Sequence, residues 1–177
     1  PLFHIHETSA VVAYQNLFTA IQEGLVLPIS ELEITPEEII AAPLIILNFN
    51  FLHDRVQQAA YATIPEEHKK EVHLKIGQLL LKNTTEEKLE EKVFNLVNHL
   101  NIGVELIDDL EQKVKLSNLN LIAGKKAKAS TAYKTAATYF SLGIKLLGIQ
   151  AWENYYELTF TLCRERSECE YLAVNLE

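Results

Sequence analysis

The segment Ile46–Tyr61 reads ILNFNFLHDRVQQAAY and changes from a strand pattern to a helix pattern within a few residues. Up to Phe51, apolar side chains alternate with asparagines, as in a strand that buries one face. An amphipathic helix is predicted to follow at once. We expect Asp54 to cap this helix, since a carboxylate can accept hydrogen bonds from amides that lack an intrahelical partner. His53 would then lie at a helix start, where phosphates are readily bound.

The residues before this junction predict a mixed α and β arrangement. Residues 9–22 have a helical pattern that Gly24 should end, and residues 25–29 form a short apolar run that Pro28 confines to a sheet edge. Residues 30–43 read as a loop, and residues 45–51 as a second strand. This order is typical of the later part of a winged-helix domain. We therefore predict a partial winged helix with a short β-hairpin in residues 1–63.

Residues 64–177 are predicted to be helical throughout, which makes the fold mainly α. Pro65 should open the first helix, and Thr84 with Glu87 matches the capping-box pattern of the next. One further helix is expected over residues 151–174, led by Trp152. Apolar residues recur at helical spacing along these segments. They are Val72, Ile76, Leu79, Leu80, Leu89, Val93, Leu96, Val97, Leu100, Leu116, Leu119, Ile122, Ala123, Tyr133, Ala136, Ala137, Phe140 and Ile144.

The charge distribution argues against nucleic-acid binding. The net charge is −8, and residues 1–54 contain no Lys or Arg. Phosphate neutralisation requires such cations. The DNA-recognition helix would be Tyr14–Glu23, and this segment contains no Lys or Arg. DNA binding is therefore the weakest hypothesis. No apolar run approaches the ~20 residues of a membrane helix, so we expect a soluble, cytoplasmic protein without a membrane partner.

No catalytic motif is found, and the segment is predicted not to be an enzyme. The run GKKAKAS at Gly124–Ser130 lacks the phosphate-loop pattern, and its lysines are predicted to line a solvated helix face. His68 and His73 do not share a helix face, which argues against a metal site there. Cys163 and Cys169 on one helix would lie about 9 Å apart, so reduced thiols are expected.

Within the helical part, Leu121–Leu147 (LIAGKKAKASTAYKTAATYFSLGIKLL) resembles one tetratricopeptide-type (TPR-type) helical hairpin. Gly124 falls at the small position of the first helix, and Ala136 and Phe140 fall at packing positions of the second. Such hairpins stack on one another and present a surface to partner proteins. The resemblance therefore implies TPR-like α-helical hairpins in residues 64–177.

The junction at His53 has a resemblance of its own. Phe51-Leu52-His53-Asp54, followed by a helix that ends in QAAY, looks like the "MHD" element of STAND-class signalling ATPases. In that family the histidine reaches the β-phosphate of ADP in a neighbouring ATPase domain and locks the closed form. The resemblance implies that His53 senses the nucleotide and that Asp54 sets its position. The plainer alternative is that His53 only ends a strand and Asp54 only caps a helix.

A longer similarity covers nearly the whole chain. The blocks FLHDRVQQAAY, IPEEHKKEVHLKIGQLLL, LNLIAGKKAKASTAYKTAATYF and AWENYYELTF occur in this order. They are similar to the middle of large cyanobacterial multi-sensor signal-transduction kinases, which join Ser/Thr kinase, STAND-like ATPase, helical, GAF and histidine kinase domains. The similarity implies a fragment whose partners are the adjacent ATPase and kinase domains. ADP or ATP would bind in the missing ATPase domain, with no cofactor in this segment.

Two functions are consistent with these features. In the first, the winged-helix segment senses nucleotide and the helices relay or scaffold the signal. In the second, the chain is a helical adaptor for protein partners, and the winged-helix remnant only covers the end of the stack. Substitution of His53 distinguishes the two.

Overall fold

The computed structural model describes residues 17–28 and 49–174. Within these ranges the fold is mainly α with one short antiparallel β-hairpin, which confirms the predicted fold class. The chain divides into two compact units whose boundary in sequence lies between His68 and Lys69. Each unit is described by itself.

The first unit begins, in its described part, with the end of a helix at residues 17–22. Gly24 follows in the left-handed region at φ 67°. The amide of Leu25 donates to the carbonyl of Ala20 at 2.9 Å, and that of Gly24 to Ile21 at 3.0 Å. These two bonds form a Schellman motif, which satisfies carbonyls at the helix end. The prediction that Gly24 ends this helix is confirmed, while residues 9–16 lie outside the described ranges.

The β-hairpin consists of β1, Val26–Pro28, and β2, Phe49–Phe51. The strands are antiparallel, with Val26 opposite Phe51 and Pro28 opposite Phe49. The two predicted strands are therefore confirmed where they are described. Residues 29–48, which include the predicted loop at 30–43, lie outside the described ranges. Helix α1, Asp54–Ala62, follows β2 after two residues and contains no buried residue.

The remaining helices form successive hairpins, and their bounds are as follows. Helix α2 spans Glu66–Lys82, α3 Glu86–Ile102, α4 Leu110–Ala129, α5 Tyr133–Leu147, α6 Ala151–Asn154 and α7 Tyr156–Val174, with a 3₁₀ turn at Val104–Leu106 between α3 and α4. Pro65 precedes α2, as predicted. No helix in the described ranges has both the length and the apolar character of a membrane span.

The core of the second unit lies between these helices in two clusters. The first joins α3, α4 and α5 and contains Val93, Val97, Leu100, Ile107, Leu116, Leu119, Ala123 and Leu146. The second joins α4, α5, α6 and α7 and contains Ala127, Ala136, Phe140, Leu147, Ala151, Leu162 and Cys169. The predicted stripes of α3, α4 and α5 are thus confirmed as the buried faces. Burial of these apolar side chains is the main favourable contribution to folding.

Three helix contacts are close because one partner is glycine. A Cβ on Gly77 would lie 2.6 Å from Cδ2 of Leu100, one on Gly124 2.3 Å from Cε1 of Phe140, and one on Gly143 2.9 Å from Cδ2 of Leu162. Each glycine therefore accommodates a large side chain of the facing helix. The small position predicted at Gly124 has this physical basis.

The prediction that Thr84 and Glu87 form a capping box is wrong. Thr85 is the N-cap residue of α3 and makes no side-chain capping bond. The hydroxyl of Thr84 instead donates to the carbonyl of Leu80 at 2.6 Å, so it belongs to the end of α2. Bonding to a carbonyl of the preceding turn competes with a capping role for the same hydroxyl.

The prediction of one continuous helix over residues 151–174 is also wrong. The segment is broken at Tyr155, whose φ of −136° and ψ of 44° are not helical. Trp152 lies on the short helix α6 and is half exposed, while Ala151 beside it is buried. Ala151 belongs to the second core cluster, so α6 packs against the core although it is not continuous with α7. Cys163 and Cys169 are both free, as expected.

Candidate functional site

The candidate site is the junction between β2 and α1. The hairpin continues one step beyond β2, since the amide of Leu52 donates to the carbonyl of Leu25 at 3.0 Å. His53 follows as the N-cap residue of α1, with extended backbone at φ −140° and ψ 145°. Its carbonyl accepts from the amide of Val56 at 2.9 Å and from that of Gln57 at 3.3 Å. The hairpin and the first helical turn thus hold the backbone of His53 from both sides.

The imidazole of His53 is exposed and makes no side-chain capping bond. No hydrogen bond or ion pair of this ring involves any other residue in ranges 17–28 and 49–174. Both ring nitrogens are therefore available to a group outside the described chain. The unpaired amides of the first turn of α1 add partial positive charge at the same place.

The prediction that Asp54 caps α1 is wrong, because His53 holds the N-cap position and Asp54 is the first residue of the helix. A carboxylate in the first turn still interacts favourably with the helix dipole. Asp54 is exposed, and it directly follows His53, so the two predicted site residues do lie together. Arg55 comes next and is also exposed. It is the first Lys or Arg of the sequence.

Large apolar side chains near this junction are exposed. Phe51 is 43% exposed and Leu52 44%, and in the same unit Leu27 is 46% exposed. Leu27 pairs with Asn50, so it lies on the opposite face of the hairpin from Phe51. Phe51 and Leu52 directly precede His53 in sequence, so two exposed apolar side chains lead into the junction.

A second group of polar residues lies in the helical unit, where His73 of α2 and His99 of α3 face each other. Their Nδ1 atoms are 2.9 Å apart, and their ring centroids 4.9 Å. Burial lowers the pKa of both imidazoles, and the neighbouring His73 lowers the pKa of His99 further. The two imidazoles cannot both be positively charged without electrostatic repulsion between them. Sequence reasoning compared His73 only with His68 and so missed this pair.

An ion-pair network joins α4 to α7. Lys128 Nζ contacts Glu165 Oε2 at 2.8 Å and Glu168 Oε2 at 2.9 Å, and only 22% of the Lys128 side chain is exposed. The prediction of a solvated lysine face is therefore wrong at Lys128. Burial opposes ionisation of Glu165, but hydrogen bonds from Lys128 and Arg164 outweigh it and hold the pKa of this carboxyl below its ordinary value. The network holds two helices together.

No group of three or more His, Cys, Asp or Glu side chains among residues 17–28 and 49–174 could hold a metal ion. Two grooves occur between helices of the second unit. One is lined by Asn98, Asn101, Ile102, Lys134, Thr135, Thr138, Tyr139 and Leu142. The other lies beside the turn between α5 and α6. Both are open to solvent and contain no arrangement of nucleophile and base.

The chain is similar to the hybrid signal transduction histidine kinase G of Dictyostelium discoideum, with 30% identity over 156 residues. The match covers 75% of this chain, and the chain spans only about 4% of the length of that relative. No protein-family model matches the sequence. No solved structure matches it. The chain is thus a distant homologue of a small part of a hybrid histidine kinase.

Proposed function

We propose that this chain is a non-catalytic regulatory region of a large signalling kinase. In this proposal the unit that contains His53 senses the nucleotide bound by a neighbouring STAND-type ATPase domain. The helical hairpins from α2 to α7 relay or scaffold the resulting state. The similarity to part of a hybrid histidine kinase supports the signalling context, and the Phe51-Leu52-His53-Asp54 sequence supports the nucleotide role.

The observation that carries the proposal is the exposed imidazole of His53 at the N-cap of α1, with no partner among residues 17–28 and 49–174. The β-phosphate of ADP is an acceptor with negative charge. It would accept a hydrogen bond from the imidazole, close to the positive end of α1. Arg55 supplies a further positive charge in the same helical turn.

A sensor must contact its ligand differently in two states. If His53 met the phosphate equally well in both, ADP would shift no equilibrium between them. In the proposed closed state the ring touches the phosphate. In the open state the ATPase domain has moved away and the ring is solvated. The exposed Phe51 and Leu52 would be covered only in the closed state, so they favour it by burial of apolar surface.

The test uses a longer protein that contains this region and its adjacent ATPase domain, loaded with a fluorescent ADP analogue. A hydrogen bond to a charged group contributes about 1.5–3 kcal/mol, so His53→Ala should accelerate ADP release by about tenfold or more. His68→Ala is the matched control, because His68 is an exposed histidine of the same unit outside the junction. An unchanged release rate in His53→Ala would remove the sensor role.

A second candidate function is a helical adaptor for protein partners. It is favoured by aromatic side chains exposed on the helical unit, with Trp152 50% and Tyr156 54% exposed. In this case His53→Ala leaves nucleotide exchange unchanged, while substitutions on the helices weaken partner binding.

A further inference from the structure

Three aromatic side chains contact one another in series along α6 and the first turns of α7. The ring centroids of Trp152 and Tyr156 are 5.8 Å apart, in an edge-on arrangement. Those of Tyr156 and Phe160 are 6.1 Å apart and nearly parallel, with an interplanar angle of 5°. We call Trp152, Tyr156 and Phe160 the aromatic ladder.

The ladder lies on a part of α6 and α7 that the core does not use. Helix α7 buries Thr159, Leu162 and Cys169. The ladder rings are not members of either core cluster, and they remain 50%, 54% and 44% exposed. Their contacts with each other hold them in place without covering them. The ladder is therefore a pre-ordered apolar surface.

Its area is large enough for a partner. An aromatic side chain buries about 150–250 Å² when covered, so half exposure of three rings leaves on the order of 300 Å². Patches of this size on a single protein are often binding sites. Tyr and Trp are also the residues that contribute most to binding where an interface excludes water.

The border of the ladder is acidic. Glu153 follows Trp152 and Glu157 follows Tyr156, and both carboxylates are exposed. Neither has an ion-pair partner within the described residues. The cation at the other end, Arg164, contacts Glu165 Oε1 at 3.0 Å, so its charge is already balanced. A partner that brings positive charge to this border is therefore favoured over an acidic one.

We propose that the aromatic ladder binds a basic amphipathic helix of a partner protein. The ring spacings of 5.8 and 6.1 Å are close to the 5.4 Å rise of one helical turn. Apolar side chains on successive turns of the partner would therefore each meet one ring. Lys or Arg beside them would pair with Glu153 and Glu157 and would also be attracted to the ring faces. This inference rests on the second candidate function, the helical adaptor, and names its partner; it does not depend on His53 or on any nucleotide.

Trp152 makes the test direct, because it is the only tryptophan of the chain. The probe is a synthetic peptide of about five helical turns, with leucines along one face and lysines elsewhere. The comparison peptide carries glutamate in place of every lysine. The basic peptide should shift Trp152 emission to shorter wavelength in a saturable manner, and added salt should weaken this binding. The acidic peptide should bind at least about tenfold more weakly.

Two variants of the full chain locate the binding. Phe160→Ser removes one ring, and Glu153→Lys combined with Glu157→Lys reverses the border charge. Each should weaken binding of the basic peptide by about tenfold, with unchanged helical circular dichroism. Tyr171→Ser is the matched control, since Tyr171 is an exposed aromatic of α7 outside the ladder, and it should bind as the original chain does.

Three results would overturn the proposal. The first is equal affinity for the basic and acidic peptides. The second is unchanged affinity in Phe160→Ser. The third is a Trp152 shift that depends on protein concentration without peptide, which would assign the ladder to a second copy of the chain. None of these results bears on ADP release by His53 variants.

Discussion

The Nδ1 atoms of His73 and His99 lie 2.9 Å apart, although 26 positions separate the two residues in sequence. In the neutral pair one ring donates the hydrogen bond and the other accepts it. The pair connects α2 to α3 and lies beside the first core cluster, to which Leu74 of α2 belongs as a partly buried member. Its protonation is therefore coupled to the packing of these two helices.

The histidine pair should make the protein less stable in mild acid. Both folded-state pKa values lie below the ordinary value of 6.5, chiefly because of burial. The unfolded chain then binds protons more readily, so the free energy of unfolding falls as the pH drops through 6.5 and below. Urea unfolding at about pH 7.5 and about pH 5.5 measures this decrease.

Substitution of His99 separates the contribution of the histidine pair to the pH dependence from that of other groups that titrate in acid. His99→Gln should show a smaller loss of stability between the two pH values than the original chain does. His68→Gln, at an exposed histidine, should lose as much as the original chain. An identical pH dependence in His99→Gln and the original chain would contradict this assignment.

Gly124→Ala should destabilise the helical unit in spite of the higher helix propensity of alanine. The propensity gain is about 1 kcal/mol. The added Cβ would lie 2.3 Å from Cε1 of Phe140, which is completely buried and cannot move away freely. Overpacking of this kind costs about 1–3 kcal/mol, so we expect a lower free energy of unfolding by urea.

A second substitution tests whether the ring of Phe140 causes the loss of stability expected in Gly124→Ala. Phe140→Leu removes the atom that the new Cβ would meet. In the Phe140→Leu background, Gly124→Ala should therefore cost less than in the original chain, which a double-mutant cycle measures. Equal costs in the two backgrounds would show that Phe140 is not responsible.

Lys128→Met should weaken the contact between α4 and α7. It leaves Glu165, of whose side chain 11% is exposed, with Arg164 as its remaining cationic neighbour. Loss of one member of a fully buried pair costs about 3–5 kcal/mol, and the partial exposure here reduces the expected loss to about 1–2 kcal/mol. Lys125→Met, at an exposed lysine of the same helix, is the control and should change stability little.

The Lys128–Glu165 ion pair also predicts how the free energy of unfolding changes in acid. The pKa of Glu165 is lowered in the folded state, so its contribution is present above the ordinary value of 4.5 and is lost as the pH falls below it. The stability difference between Lys128→Met and the original chain should therefore shrink in acid. A constant difference across this range would contradict the role of Glu165.

The buried stripes were predictable from sequence, whereas several local features were not. Val93, Val97 and Leu100 repeat at helical spacing, and this period alone identifies the face of α3 that packs inward. The break at Tyr155 has no proline or glycine to signal it. The pairing of Lys128 with Glu165, and of His73 with His99, depends on helices that are distant in sequence. Residues that meet only through tertiary packing leave no local pattern.

At the candidate site, sequence predicted the strand-to-helix junction correctly but assigned the cap to the wrong residue. Asp54 is the commoner residue type at an N-cap, and this preference favoured it over His53. Strand pairing ends with the hydrogen bond from the amide of Leu52 to the carbonyl of Leu25, and His53, the next residue, occupies the N-cap position. The nucleotide role itself stays a prediction, because it requires a domain that the described chain does not contain.

The glycines at 77, 124 and 143 have a mechanical consequence. Each forms a notch that receives a leucine or phenylalanine of the facing helix, so neither helix can slide along its axis without a collision. These notches restrict axial sliding of α2 against α3, of α4 against α5 and of α5 against α7. A substitution that fills one of these notches must therefore separate the two helices that meet there.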